Sequence, residues 1–250
     1  MSLLAVSGLV KRFGGLLASD DIHLVVEPGE LHAVIGPNGA GKTTLINQLS
    51  GELMPDAGSI EFEGRSMTAL PTHVRALAGI SRSYQITSVF PEFSAQQNVM
   101  LAAQAHAGHS FRFWQRVSDE PVLIETARTA LQQVGLLHRA PVPVAALAHG
   151  ERRQLEIAMT LATQPRLLLL DEPMAGMSQH EAEAMIELLH GLKGRYGVVL
   201  VEHDMDAVFV LADRITVLVY GRVIACGVPV AIRANADVRE AYLGDEIAAD

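Results

Sequence analysis

The chain has 250 residues, 49% of them hydrophobic, and a formal net charge of −9. That is enough for one large core or a core with an inserted subdomain, and the acidic balance without a Lys/Arg-rich run argues against a nucleic-acid partner. The densest basic spot is only Arg152-Arg153. Apolar runs such as Leu167–Leu170 and Val198–Val201 are strand-length, far short of the ~18 residues of a membrane span. The start, Met1 to Ser7, has neither a basic region nor a long apolar stretch, so any membrane role is expected through a partner. The single cysteine, Cys226, precludes an internal disulfide, suits the cytosol and reads as a small core residue.

Taken in order, Leu3–Val6 and Ile22–Val26 alternate as half-buried strands do. The turn Glu27-Pro28-Gly29-Glu30 leads into a buried strand, Leu31–Ile35, and Pro55 to Gly58 into another at Ser59–Phe62. These strands predict an antiparallel β portion around Leu31–Ile35. Pro71–Leu77 reads as a short helix and Ile80–Tyr84 as a strand ending in Gln85. From Ser94 to about Leu161 the pattern is helical, with turns near Gly108, Gly135 and Pro141–Pro143. Leu123, Ile124, Ala127, Ala130, Leu131 and Val134 form a helical stripe that reads as core packing. His106, His109 and Trp114 read as a loop-like linker; two histidines without a third ligand are a weak metal signal. An α/β pattern then resumes. Leu167–Leu170 is a buried strand, and Ser178–Leu192 a helix whose N-cap Ser178 and Glu181 form a capping box. Strands at Val198–Val201, Ile215–Tyr220 and Val223–Ala225 follow, then short helices near Val230–Arg233 and Val238–Leu243.

Three stretches and two single residues carry chemistry. Gly36-Pro37-Asn38-Gly39-Ala40-Gly41-Lys42-Thr43-Thr44 fits G-x-x-x-x-G-K-[ST], with a strand before it and a helix after it. In that context backbone N–H groups and a helix N-terminus face phosphates, Lys42 reaches the β- and γ-phosphates, and Thr43 offers a hydroxyl to Mg²⁺. Leu167–Leu170 ends in Asp171-Glu172, placing two acids where parallel sheets bind ligands. Asp171 is the candidate Mg²⁺ ligand and Glu172 the general base. Leu147-Ala148-His149-Gly150-Glu151 opens a helix, which reads either as an anion site or as an ordinary helix start. His203 and Gln85 each sit at a strand end.

Together and in this order, these residues resemble the ATP-binding subunit of ABC transporters over essentially the whole chain. The resemblance implies a single α/β domain, residues 1–250: a P-loop NTPase core with an antiparallel β subdomain (1–86 and 162–250) and an inserted α-helical subdomain (87–161). It implies that Phe13 stacks on adenine, although from its residues alone Phe13 reads equally as a core aromatic. Gln85 matches the Q-loop, a catalytic and metal position that joins Thr43 and Asp171 around Mg²⁺ and links the ion and the attacking water to the helical insert. Ala148, His149, Gly150 and Glu151 match the signature motif, Met174–Ser178 the D-loop, and His203 the switch histidine, a catalytic position that contacts the γ-phosphate and organises the attacking water. Two subunits pair head to tail in this family, the signature of one completing the ATP site of the other. Permease subunits dock beside the Q-loop, where Val89, Phe90 and Phe93 are the candidates here.

Lys11 to Leu16, Gly150 to Ala158, Val201 to Met205 and Ala241-Tyr-Leu-Gly244 are most similar to the branched-chain amino acid uptake branch. Urea importer and lipopolysaccharide exporter ATPases share parts of this pattern. The implied protein is an ATPase with ATP and Mg²⁺, peripheral on the cytoplasmic face of the membrane. Its implied partners are permease subunits, a second ATPase of the same or a related kind and, indirectly, a solute-binding protein. His149 and Glu151 replace the Gly and Gln of many signatures, and Ser178 the Asp of many D-loops. Two other classes lack their marks in this sequence. A non-transport ABC ATPase usually carries a coiled-coil insert or tandem cassettes, and a GTPase an Asn-Lys-x-Asp motif; neither feature is present.

Overall fold

The computed structural model describes residues 2–83, 89–107 and 120–240. Up to the helical stretch the elements are β1 (Leu4–Phe13), β2 (Leu16–Val26), β3 (Leu31–Ile35), α1 (Lys42–Ser50), β4 (Ala57–Phe62), β5 (Arg65–Ser66), α2 (Thr72–Ala78) and β6 (Ile80–Arg82). Next come α3 (Ala95–Ala107), α4 (Pro121–Gln133), α5 (His149–Ala162), β7 (Leu167–Asp171) and α6 (Gln179–Leu192). The remainder is β8 (Gly197–Val201), α7 (Met205–Leu211), β9 (Arg214–Val219), β10 (Arg222–Gly227), α8 (Pro229–Ala234) and α9 (Ala236–Val238). Contacts divide the chain into two units. Met1–Arg75, Leu169–Glu172 and Leu192–Asp250 make the first, Ala76–Leu168 and Pro173–Gly191 the second.

In the first unit, β2-β1-β4-β5 form an antiparallel sheet. β1 and β2 run well beyond Leu3–Val6 and Ile22–Val26, because register shifts between Val6 and Arg12 break the alternation that a pattern reading follows. β3 belongs to a different sheet, ordered β10-β9-β3-β8-β7 within this unit, where it runs parallel to both β8 and β9. The antiparallel strands therefore surround β3 in sequence only. Every residue of β3 and β8 is buried, as are Leu167–Leu170 of β7, which is why these strands read as unbroken apolar runs.

A buried cation fixes the far end of α1. Arg75 has no exposed surface and donates to four carbonyls: Leu70 at 2.8 Å, Gln48 at 2.7 Å, Leu49 at 2.9 Å and Thr68 at 3.1 Å. Gln48 and Leu49 lie in the last turn of α1, whose carbonyls have no partner within the helix and carry the negative end of its dipole. Burial pushes the guanidinium pKa down. Gly51 caps the helix at φ 83°, and a Cβ there would press on Arg75 Nε at 2.8 Å.

Cys226 departs from its expected place in the core. It is exposed on β10, its Sγ accepting the Thr216 hydroxyl at 3.3 Å. β10 is the outer strand of its sheet, so apolar neighbours in sequence do not imply burial there.

In the second unit, α4 packs against α3 and α5. The stripe predicted for α4 is its core face: Leu123, Ala127, Ala130, Leu131 and Val134 are buried and Ile124 is half-buried. Gly135, at φ 76°, ends the helix, while Pro121 at its first turn lacks only an N–H that would have no helical partner. His106 lies in the last turn of α3 rather than in a linker, since the alanine-rich helix continues past it. Asn98 is buried and straps the preceding loop, accepting Phe90 N–H at 2.8 Å and donating to the Phe90 and Ser94 carbonyls at 3.1 and 3.0 Å. The expectations for Tyr84, Gln85, Gly108, His109, Trp114 and Ala241–Gly244 lie outside the described residues. Among the described residues, no helix is long and apolar enough to cross a membrane, and no three His, Cys, Asp or Glu side chains form a metal cluster.

Candidate active site

The Gly-rich loop joins β3 to α1, as its spacing predicts. Gly41 caps α1 at φ 102°, and a Cβ there would drive into the Ala18 carbonyl. The Ala40 carbonyl accepts Gly221 N–H at 2.9 Å, so the turn between β9 and β10 braces the loop. A cavity of about 350 Å³ opens over it, lined by Asn38 to Thr44 together with Phe13, Glu172 and His203. Leu16, Leu17, Ala18 and Tyr220 complete the lining. Phe13 is 49% exposed, which sets aside the reading of it as a core aromatic. Lys11 Nζ lies 5.8 Å from its ring centroid.

Lys42 is buried, and its ammonium donates to the Gly36 carbonyl at 2.7 Å and to Pro37 at 3.1 Å. Gly36 and Pro37 thus act on the site through their carbonyls rather than by lining it. Burial pushes the Lys42 pKa down, against the opposing pull of Glu172 and Asp171. Thr43, next to it, is exposed.

Asp171 ends β7 half-buried. Glu172 follows at φ 50°, a left-handed conformation that costs a non-glycine residue energy. Its N–H donates to the Val201 carbonyl at 2.8 Å, which fixes the end of β7 beside β8. His203 stands two residues past that carbonyl, and its Nε2–H donates to Glu172 Oε1 at 2.5 Å. The structure therefore brings Glu172 and His203, two of the three predicted catalytic side chains, into contact on the wall of the cavity.

Within the second unit, α5 begins at His149 with Ala148 as its N-cap. Alanine has no capping oxygen, so the cap is made in reverse: Glu151 accepts Ala148 N–H at 2.9 Å, and Arg139 pairs with Glu151 at 2.9 Å. Gly150 N–H donates to Glu181 Oε1 at 2.9 Å. The other oxygen of Glu181 accepts the Ser178 hydroxyl at 2.7 Å and Ser178 N–H at 3.0 Å. These bonds, the Ser178 hydroxyl first, pull the Glu181 carboxyl down to about 2. His149 Nε2–H donates to the Ala175 carbonyl at 3.3 Å.

The ABC transporter family model matches residues 19–175. The chain belongs to the ABC transporter ATP-binding family. A second model, the branched-chain amino acid ATP-binding cassette transporter, matches residues 222–248. The chain is 39% identical to the high-affinity branched-chain amino acid transport ATP-binding protein BraF of Pseudomonas aeruginosa, over 97% of this chain and 98% of that one. It is also 39% identical to the protein of the same description, LivG, of Escherichia coli, with the same coverage. Among solved structures it is similar to the ADP conformation of MJ1267, an ATP-binding cassette of an ABC transporter. The TM-score is 0.87 and the identity 28%, over 98% of this chain and 99% of that one.

As an ABC ATPase the chain binds and hydrolyses ATP. All three residues that depart from the common family pattern make contacts within one chain, Glu151 through Ala148 N–H and Arg139. His149 bonds the Ala175 carbonyl, and Ser178 and Gly150 share the Glu181 carboxylate. The sequence flagged Glu181 only as half of a capping box, since nothing in helical spacing tells that its second oxygen reaches Gly150, 31 residues away. Tyr220 was read as a strand end. The signal available was its place beside Gly221 in a two-residue connection between apolar strands.

Proposed function

We propose that this ABC ATPase powers import of branched-chain or related hydrophobic amino acids through a membrane permease. The observation that carries the chemistry is the 2.5 Å contact between His203 and Glu172 on the wall of the P-loop cavity. The full-length similarity to BraF and LivG favours the solute class. When ATP binds, Lys42 exchanges the Gly36 and Pro37 carbonyls for β- and γ-phosphate oxygens, and the N–H groups of Gly39 to Thr44 turn to the phosphates. The Thr43 hydroxyl and the Asp171 carboxylate are hard oxygen donors and fit Mg²⁺, with Gln85 as a further ligand. Bound there, the ion neutralises charge on the β- and γ-phosphates. Glu172 takes a proton from the attacking water. His203 holds the Glu172 carboxylate in place and contacts the γ-phosphate, and the bond to the β-phosphate oxygen breaks to leave ADP and phosphate.

In this reading residues 87–161 work as the helical subdomain, and two ATPases share each site, with Ala148 to Glu151 of one facing the triphosphate of the other. Gly150 N–H is held by a carboxylate within its own chain, so offering it to a phosphate exchanges one anion for another. Permease subunits dock on Phe90 and Phe93, which are 55% and 42% exposed with ring centroids 5.4 Å apart, and on the adjoining Val89. The solute-binding protein acts through the permease, and the ATPase sits on the cytoplasmic face. Reconstitution with permease subunits and a solute-binding protein with which it co-purifies tests the solute. ATP-dependent uptake of leucine, isoleucine or valine is the expected result, and uptake of urea instead would overturn it.

A further inference from the structure

Tyr220 and Gly221 form the two-residue turn between β9 and β10. Their φ angles are 47° and 78°, the pattern of a type I′ turn. The first position of such a turn favours Asn, Asp or Gly, and a bulky ring in the left-handed region is disfavoured. Packing does not compensate, because Tyr220 is 85% exposed. The turn itself is held by other atoms. Gly221 N–H donates to Ala40 at 2.9 Å, the Gly221 carbonyl accepts Asp20 N–H at 2.8 Å, and Gly221 lies so close to Ala18 that a Cβ would meet its carbonyl at 3.0 Å. An exposed aromatic thus occupies an unfavourable backbone position that the fold holds in place, and it lines the same cavity as Phe13. Phe13 comes from the β1–β2 hairpin, so two separate hairpins bring exposed rings to one site.

We propose that Tyr220 is a second nucleobase-contacting residue, whose ring and that of Phe13 together receive the purine of ATP. This rests on the reading of the cavity as the ATP site. Each purine face offers a π-surface to an aromatic side chain, and such stacking tolerates different bases while adding affinity.

The test uses the full chain and two probes, Mg-ATP and Mg-tripolyphosphate, which lacks base and sugar. Tyr220→Asn supplies the residue that the turn prefers. It is expected to melt higher than the wild type, to bind Mg-ATP about tenfold more weakly and to bind tripolyphosphate unchanged. Tyr220→Phe keeps the ring and is expected to bind Mg-ATP within about twofold of the wild type. Equal loss of ATP and tripolyphosphate affinity in Tyr220→Asn would overturn the proposal, because the turn would then act through Ala40 and the loop. So would unchanged ATP affinity, or a lower melt, which would give the ring a packing role. Lys42→Ala separates the two readings: if it leaves both probes binding as before, the cavity is not the phosphate site and the assignment of Tyr220 falls with it.

Discussion

Arg75→Met removes the cation that closes the C-terminal end of α1. The guanidinium makes four bonds to carbonyl oxygens from a side chain with no exposed surface. Met fills much the same space but donates nothing, so the Gln48 and Leu49 carbonyls lose their partner where water cannot replace it. Each hydrogen bond to a charged group contributes about 1.5–3 kcal/mol net, but the four share one cation whose own desolvation is relieved by the substitution. The balance is a loss of about 3–5 kcal/mol, the size seen when one partner of a buried charged network is removed. At about 2–4 °C per kcal/mol for a chain of this size, the melt should fall by roughly 10 °C. Arg75→Lys, which reaches fewer of the four carbonyls, should fall about half as far. Thermal unfolding by far-UV circular dichroism measures both. Saturating Mg-ATP should raise all the melts by mass action without closing the gap. A drop below about 2 °C in Arg75→Met would refute the view that these four bonds hold the P-loop helix.

Lys42→Ala should weaken equilibrium binding of Mg-ATP by about 30- to 100-fold, the effect of losing charge-assisted bonds to phosphate, and an unchanged affinity would count against the P-loop assignment. Glu181 has a carboxyl pKa lowered to about 2, so its ionised form stabilises the fold. That contribution is complete above its ordinary value of 4.5 and lost as pH falls through about 2. Melts across this window should show the wild type converging on Glu181→Gln at the acid end, and a gap independent of pH would contradict the bonds to Ser178 and Gly150. If sites are shared between two ATPases, ATPase rate per subunit should rise with protein concentration and more steeply with the permease present. A high, concentration-independent rate from a demonstrated monomer would show a complete site in one chain.

Much of the site was legible because its chemistry is written locally. The spacing from Gly36 to Thr43, and the acids that end an apolar run at Asp171, depend on a few consecutive residues whose backbone path is nearly fixed by the flanking strand and helix. What pairs at long range was not legible. The strand Leu31–Ile35 reads as buried, yet its place between β8 and β9 depends on residues more than 150 positions away. Arg75 reads as one more helical residue, because a buried cation satisfied by carbonyls leaves no acidic partner in the pattern. Cys226 reads as core from its neighbours, whereas its position on an outer strand decides its exposure. Phe13 was ambiguous for a similar reason: a strand-end aromatic faces core or cavity according to how its hairpin folds over the loop.

The most direct test of the catalytic assignment is single-turnover hydrolysis of Mg-ATP by Glu172→Gln beside the wild type, with binding measured on the same preparations. Gln keeps the shape and can still accept the His203 N–H through its carbonyl oxygen, but it cannot take the proton of the attacking water. Affinity for Mg-ATP should stay within about twofold, while hydrolysis slows by about 10²- to 10⁴-fold, the usual contribution of a general base. Hydrolysis at the wild-type rate by a variant that binds ATP normally would contradict the role given to Glu172.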